Sequence, residues 1–325
     1  MISTKSLCPV CYNVIPAIIK VGRHVWMEKT CPEHGTVKSM VERDPMWYMF
    51  CRSQKNAHIY NGYMIDITDR CNLQCQWCYH KNGVEDRRVE DIVKDAQLCR
   101  HLAPFLLSGG EPTMHPQLPQ ILRVLSMIGE TILITNGIKL CNEEYLDSLI
   151  AAGLAEHGKI LRVALSLHPE SNGKDTEFLE LCRRRGYKVA SGLYVVDTTD
   201  KIDKAVELYK EYDDVLCSFR IKGATQIWDS KKPKHTMFVS DIISHLEKTG
   251  EVDVQAGSKV SFGIIHYNKM ELKLVSWYNV CNIDLNDINC PPYYRAKDGN
   301  VYHMLTSFIL NERGVGRMGR MGEVE

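Results

Sequence analysis

Between residues 61 and 250 the chain alternates short apolar runs with amphipathic segments, six times in succession. Met64–Thr68, Pro104–Ser108, Thr131–Thr135, Ile160–Leu167, Lys188–Val196 and Val215–Ile221 read as strands. The segments Arg88–Leu102 and near 116–128, 143–152, 175–186, 200–213 and 238–249 read as helices. In the first, Val89, Ile92, Val93, Ala96, Cys99 and Leu102 share one face; in the second, Leu118, Ile121, Leu122, Leu125 and Ile128 do. Consecutive strand–helix units require a parallel sheet with helices packed outside it, because each crossover is right-handed. Six units are too few to close an eight-stranded barrel. The predicted fold class is therefore α/β, an open partial (βα)6 barrel whose reactive groups lie at the C-terminal ends of the strands.

Two flanks differ from this pattern. Residues 1–60 carry close cysteine pairs, Pro and Gly with little helical periodicity, and read as a cysteine-rich zinc-binding module. Residues 251–325 read as a β-rich cap with a disordered tail. There Ser258–His266 and Met270–Tyr278 predict a hairpin about Asn268-Lys269, and Asp298-Gly299-Asn300 marks a further turn. The tail from Asn311 contains Arg313-Gly314-Val315-Gly316-Arg317-Met318-Gly319-Arg320, a short Arg/Gly stretch read as a solvated terminus.

The 40 basic residues balance the 40 acidic ones, so overall charge makes no case for nucleic acid or membrane. No apolar run is long enough to span a bilayer, and no apolar stretch near Met1 precedes a small-residue cleavage site. A cytoplasmic protein is expected, in the host cytoplasm if the source is viral. In such a setting thirteen cysteines point to metal rather than disulfides.

The cysteines fall into two main groups. Cys8-Pro9-Val10-Cys11 is followed by Cys31-Pro32-Glu33-His34, two knuckles with the spacing of a Cys3His structural zinc site. Directly after the first strand stand Cys71, Cys75 and Cys78, at C-x3-C-x2-C spacing with Trp77 before the last. Three thiolates on one short loop can hold a cube-shaped 4Fe–4S cluster and leave its fourth iron open. Ser108-Gly109-Gly110-Glu111-Pro112-Thr113 ends the second strand, Thr135-Asn136-Gly137 the third and Ser166-Leu167-His168 the fourth. Tyr194 and Arg220 stand near the ends of the fifth and sixth.

From about residue 61 to 225 this layout resembles the radical S-adenosylmethionine (SAM) superfamily. The resemblance implies a 4Fe–4S cluster on Cys71, Cys75 and Cys78, with SAM as cosubstrate. It implies that Gly109, Gly110, Glu111 and Pro112 bind the SAM amino group, with Asn136, Ser166 and His168 near cofactor or substrate. Arg220 is expected to pair with the SAM carboxylate. No catalytic residue beyond the cluster ligands is implied. The reaction is reductive cleavage of SAM to a 5′-deoxyadenosyl radical, which takes hydrogen from an unactivated carbon and leads to isomerisation or rearrangement. An external one-electron reductant of flavodoxin or ferredoxin type is implied.

The N-terminal module resembles that of tetraether-lipid-synthase-like radical SAM proteins. A nucleoside or nucleobase substrate is favoured, as in phage enzymes that elaborate thymidine; lipid alkyl coupling or small-molecule modification is the alternative. An iron–sulfur electron carrier or a zinc nucleic-acid-binding module are the rival classes. Cys281 and Cys290 are too few for a four-ligand auxiliary cluster. Cys99, Cys141, Cys182 and Cys217 are expected to be small core residues, and Cys51 has no assigned role.

Overall fold

The computed structural model describes residues 1–54, 62–78, 85–98, 100, 104–156, 159–225, 237–258, 262–276, 279, 281–286, 293–297 and 300–303. The first 42 residues form an antiparallel sheet in the order β1-β2-β3-β4: β1 (Ile2–Leu7), β2 (Val14–Val21), β3 (Val25–Cys31) and β4 (Gly35–Glu42). A helix follows, α1 (Pro45–Ser53), which the sequence reading did not anticipate. Its signal is local: Asp44 accepts from the amides of Met46 and Trp47, and proline occupies the first turn.

The central region is the expected series. It runs β5 (Gly62–Thr68), α2 (Val89–Leu98), β6 (Phe105–Gly109), α3 (Leu118–Leu125), β7 (Thr131–Thr135), α4 (Glu143–Leu149), the short β8 (Ala155–Glu156) and β9 (Ile160–Leu167). Then come α5 (Lys174–Arg185), β10 (Lys188–Val196), α6 (Thr199–Glu211), β11 (Phe219–Gly223) and α7 (Val239–Leu246). Strands β5, β6, β7, β9, β10 and β11 are parallel neighbours in that order, with β8 paired on β9. The sixth strand starts later than the Val215 expected from its apolar run. Val215 and Leu216 are buried in a turn whose amides donate to the Tyr212 carbonyl.

The C-terminal region is strand-rich, as expected, and its strands join the barrel sheet. β12 (Val252–Ser258), β13 (Phe262–Tyr267) and β14 (Met270–Ser276) extend one side, where β14 runs parallel to β11. The turn between β13 and β14 falls at Asn268 and Lys269, both at positive φ, as the hairpin reading requires. β15 (Tyr293–Lys297) runs parallel to β5 at the opposite side and pairs with β16 (Asn300–His303). Of the sequence expectations, Cys99, Cys290, the Asp298-Gly299 turn and the Arg/Gly tail lie outside the described residues.

Strand alternation sorts the barrel into two faces. Ile65, Ile67, Leu107, Leu133, Val163, Leu165, Phe219 and Ile221 point outward into the core shared with the helices. On the inner face of β5 to β7, Met64, Leu106, Ile132 and Ile134 pack against Leu7, Ile19, Met27 and Val41 of the N-terminal sheet and Cys281 and Ile283 of the C-terminal segment. Polar bonds close the same seam. Ser6 donates to the Ile283 carbonyl (2.6 Å), the Leu285 amide to the Lys5 carbonyl (2.8 Å) and Asn282 Nδ2 to the Met40 carbonyl (3.0 Å).

Cys51 and Cys182 are buried, the latter as expected. Cys141 is half-buried and packs against the same core, whereas Cys217 is exposed, a departure from the core placement expected of it. Cys217 sits in the turn before β11, where the apolar run had been read as strand.

Candidate active site and zinc site

The knuckles bring Cys8, Cys11, Cys31 and His34 together, with ligand atoms all within 4.8 Å of one another. Cys11 Sγ and Cys31 Sγ lie 3.8 Å apart, and His34 Nδ1 stands 3.7 Å from Cys8 Sγ and 3.5 Å from Cys31 Sγ. A tetrahedron with zinc–sulfur bonds of about 2.3 Å has edges of about 3.8 Å, so the four donors fit zinc. The first knuckle is built by a tight turn in which Tyr12 takes positive φ and donates its amide to the Cys8 carbonyl.

The second group lies at the C-terminal ends of the barrel strands. Cys71, Cys75 and Cys78 open onto one cavity of about 960 Å³, counted with its open mouth. The same cavity is lined by Gly109, Gly110, Glu111, Asn136, Ser166 and His168. Nine of the residues singled out from the sequence thus meet at one place. Pro112 and Arg220 do not line it: Pro112 opens a 3-10 turn behind Glu111, and Arg220 bonds Ser191 Oγ at 3.4 Å lower in the barrel.

The two glycines serve loop packing. A Cβ on Gly109 would overlap the Thr68 carbonyl oxygen, and one on Gly110 the Arg70 carbonyl oxygen. Gly109 also takes φ 134, a conformation that disfavours side chains. Without side chains, β6 ends flush against the start of the cysteine loop, and the Gly110 and Glu111 amides donate to the Thr68 and Arg70 carbonyls at 2.9 and 2.7 Å.

Glu111 is a hub. Its carboxylate accepts from the Thr113 amide (3.0 Å), Thr113 Oγ1 (2.6 Å), Thr135 Oγ1 (2.6 Å) and the Asn136 amide (2.8 Å). Complete burial pushes its pKa above the ordinary carboxylate range, against the pull of these donors. Asn136 in turn donates from Nδ2 to Asn72 Oδ1 (2.8 Å), fixing the cysteine loop to the end of β7.

The other end of that loop is held by a bond the sequence did not reveal. Trp77 Nε1 donates to Asp197 Oδ2 (3.0 Å) just past β10, and Lys201 pairs with the other oxygen at 2.7 Å. Lys222 was missed too. It is 8% exposed, lines the cavity from β11, and burial pushes its pKa down to about 7. Strand alternation from Arg220 was the available signal.

Burial, Glu170 and the neighbouring thiols push Cys75 up to about 12, and burial raises Cys71 as well. Crowded thiols that resist ionisation shed their protons when a cation gathers them. Together with Cys78 they place three sulfur donors on one loop, a set that fits an iron–sulfur cluster. His168 and Glu170 bring ligand atoms within 4.8 Å of Cys75 Sγ. The His168 amide donates to Asp175 (2.7 Å), and burial holds its imidazole below the usual range, hence neutral.

Barrel, cysteine loop and glycine segment together have the layout of a radical SAM domain. Residues 65–221 match the radical SAM superfamily, and residues 2–43 match the zinc ribbon domain named for the N-terminus of HMPTM. A radical SAM domain implies a 4Fe–4S cluster and SAM.

The chain is 33% identical to the 7,8-dihydro-6-hydroxymethylpterin dimethyltransferase of Methanocaldococcus jannaschii, over 47% of this chain and 37% of that protein. It is 32% identical to a probable GTP 3′,8-cyclase of Methanocella arvoryzae, over 40% and 41% respectively. It therefore spans less than half the length of these curated relatives. Streptococcus suis SuiB shares the fold at TM-score 0.54 and 11% identity, covering 91% of this chain and 83% of that one. Among the described residues no helix is long and apolar enough to cross a membrane.

Proposed function

We propose that Cys71, Cys75 and Cys78 hold the cluster, and that the enzyme makes a 5′-deoxyadenosyl radical to abstract hydrogen from a nucleoside or related nitrogen heterocycle. The convergence of the three thiols with the Gly109-Gly110-Glu111 segment in one cavity carries this reading. When bound, the cluster supplies the electron that breaks the S–C5′ bond of SAM.

The chain's own residues bind, orient and exclude. An ammonium group needs acceptors, so the carbonyl oxygens of Gly109 and Gly110 receive the SAM amino group, since the Gly110 and Glu111 amides serve the cysteine loop. Pro112 and Glu111 set the path of that backbone. Asn136 positions the loop through Asn72, while Ser166 and neutral His168 face the ribose side. Lys222 stands where a carboxylate beside the thiols is met by charge, two residues beyond Arg220. The wall of Leu73, Ile134, Leu167, Leu193 and Val195 keeps the site dry around a reactive intermediate.

Isomerisation or rearrangement of a nucleoside or nucleobase is the favoured outcome, fed by a flavodoxin- or ferredoxin-type reductant. A second reading, modification of a pterin, is favoured by the match of residues 2–43 to the HMPTM ribbon.

The deciding experiment reconstitutes the protein without oxygen using iron and sulfide, then adds dithionite and SAM. The expected product is 5′-deoxyadenosine, abolished by Cys75→Ala. Cleavage that persists in that variant, or zinc alone in the pocket of the protein purified without oxygen, overturns the reading.

A further inference from the structure

The cavity holds a second kind of donor set beside the thiols. Cys75 Sγ, a ring nitrogen of His168 and a carboxylate oxygen of Glu170 lie within 4.8 Å of one another, and all three residues line the cavity. Local backbone builds this side of it. β9 ends at Leu167, and Pro169–Ser171 form a 3-10 turn. The His168 amide donates to Asp175 Oδ2 at 2.7 Å, and the Ser171 amide to the His168 carbonyl at 2.9 Å. Those bonds fix the turn that carries imidazole and carboxylate together opposite the cysteine loop.

Among the described residues, no hydrogen bond or ion pair occupies the Cys75 sulfur, the His168 ring or the Glu170 carboxylate. A cubane asks this loop for thiolates, so His168 and Glu170 are not donors that the cluster needs. Thiolate, imidazole and carboxylate together are a zinc set. Around tetrahedral zinc such atoms stand about 3.3–3.6 Å apart. Glu170 is exposed, so its side chain can turn to close the remaining gap. Zinc with one thiolate, one carboxylate and one neutral imidazole carries no net charge, which lowers the cost of holding it in a half-buried pocket. The fourth position opens on the cavity and takes water.

We propose that the chain lacking its cluster binds a second zinc ion through Cys75, His168 and Glu170, apart from the ribbon zinc, and that this ion bars the cluster by occupying Cys75. The zinc site stands on the three donors alone. Its antagonism to the cluster rests on the assignment of Cys75 as a cluster ligand. Binding releases the Cys75 thiol proton, and no electron moves.

The test adds zinc to the full chain stripped of metal, under reductant and without oxygen, and counts bound zinc by mass spectrometry while a chromophoric chelator competes for it. One zinc at the ribbon and one at the cavity are expected. His168→Ala should lose the second, and Glu170→Gln should weaken it at least about tenfold, with the ribbon zinc unchanged. Cys71→Ser and Cys78→Ser should keep it. Glu170 is exposed, so Glu170→Gln keeps the test alive if the histidine variant fails to fold.

A single zinc per chain overturns the site, and so does a second zinc that both His168→Ala and Glu170→Gln keep. Loss of the second zinc from Cys71→Ser or Cys78→Ser overturns it too, since the thiols then hold the ion among themselves. For the antagonism, zinc-loaded parent should take up little iron and sulfide until a chelator frees the pocket. Equal uptake with and without the second zinc removes the antagonism. If the metal-free parent forms no cluster and cleaves no SAM, the reading of Cys75 falls and the antagonism with it, while the zinc count still decides the site.

Discussion

Asp197 joins Trp77 to Lys201, so one carboxylate holds the far end of the cysteine loop. Asp197→Ala should release the indole. The Trp77 Nε1–H resonance is expected to shift and exchange faster in the metal-free protein, and reconstituted iron to fall below that of the parent. An unchanged resonance removes the tether. Glu111→Gln puts an amide group where the carboxylate serves four donors. A stability loss of about 1–3 kcal/mol is expected, read by urea denaturation. The cysteines were legible because their spacing is local, and so were Gly109, Gly110 and Glu111 as a run. The reason for the glycines was not, because the carbonyls they avoid belong to Thr68 and Arg70, a full strand–helix unit earlier. Asp197 and Lys222 gain their meaning only from neighbouring strands, which a linear reading does not order.

At the scale of elements, periodicity placed the barrel strands and helices and the turn at Asn268-Lys269. It missed α1, a nine-residue helix announced by its cap rather than by repetition. Asp44→Ala should cost about 1 kcal/mol through that cap, measured by thermal unfolding. It also read Val215 as strand, since burial in a turn and in a sheet demand the same apolar side chains.

The end of β4 is tied to α7 through Glu42, which accepts from Ser240 Oγ at 2.5 Å. Burial pushes Glu42 from 4.5 up to about 7. The folded protein thus keeps a proton that the unfolded chain releases earlier. The contribution to stability is full below pH 4.5, falls as pH rises from there towards 7 and is level above it. Glu42→Gln should match the parent near the low end and exceed it above pH 7, by up to about 3 kcal/mol. A constant difference across that range would show that Glu42 is not the titrating group.

For the whole molecule, the N-terminal module carries its own cysteine–histidine site and also shares a core with the barrel. The ribbon's apolar face lies on Met64 and Leu106 of the barrel, with Cys281 and Ile283 in the same cluster. Chelating zinc, or changing Cys31 to Ser, should therefore lower the melting temperature of the whole chain in one transition; a separate early transition that spares the barrel would count against this.

The sheet order has a consequence for biosynthesis. β14 abuts β11 and β15 abuts β5, so the first and last strands of the superfamily segment each acquire a parallel neighbour made later. A nascent chain that has emerged from the ribosome only as far as β11 leaves both margins of the sheet without those neighbours. Metal loading before translation ends would meet an unfinished vessel, so a nascent chain arrested there should recruit holdase chaperones and carry no iron.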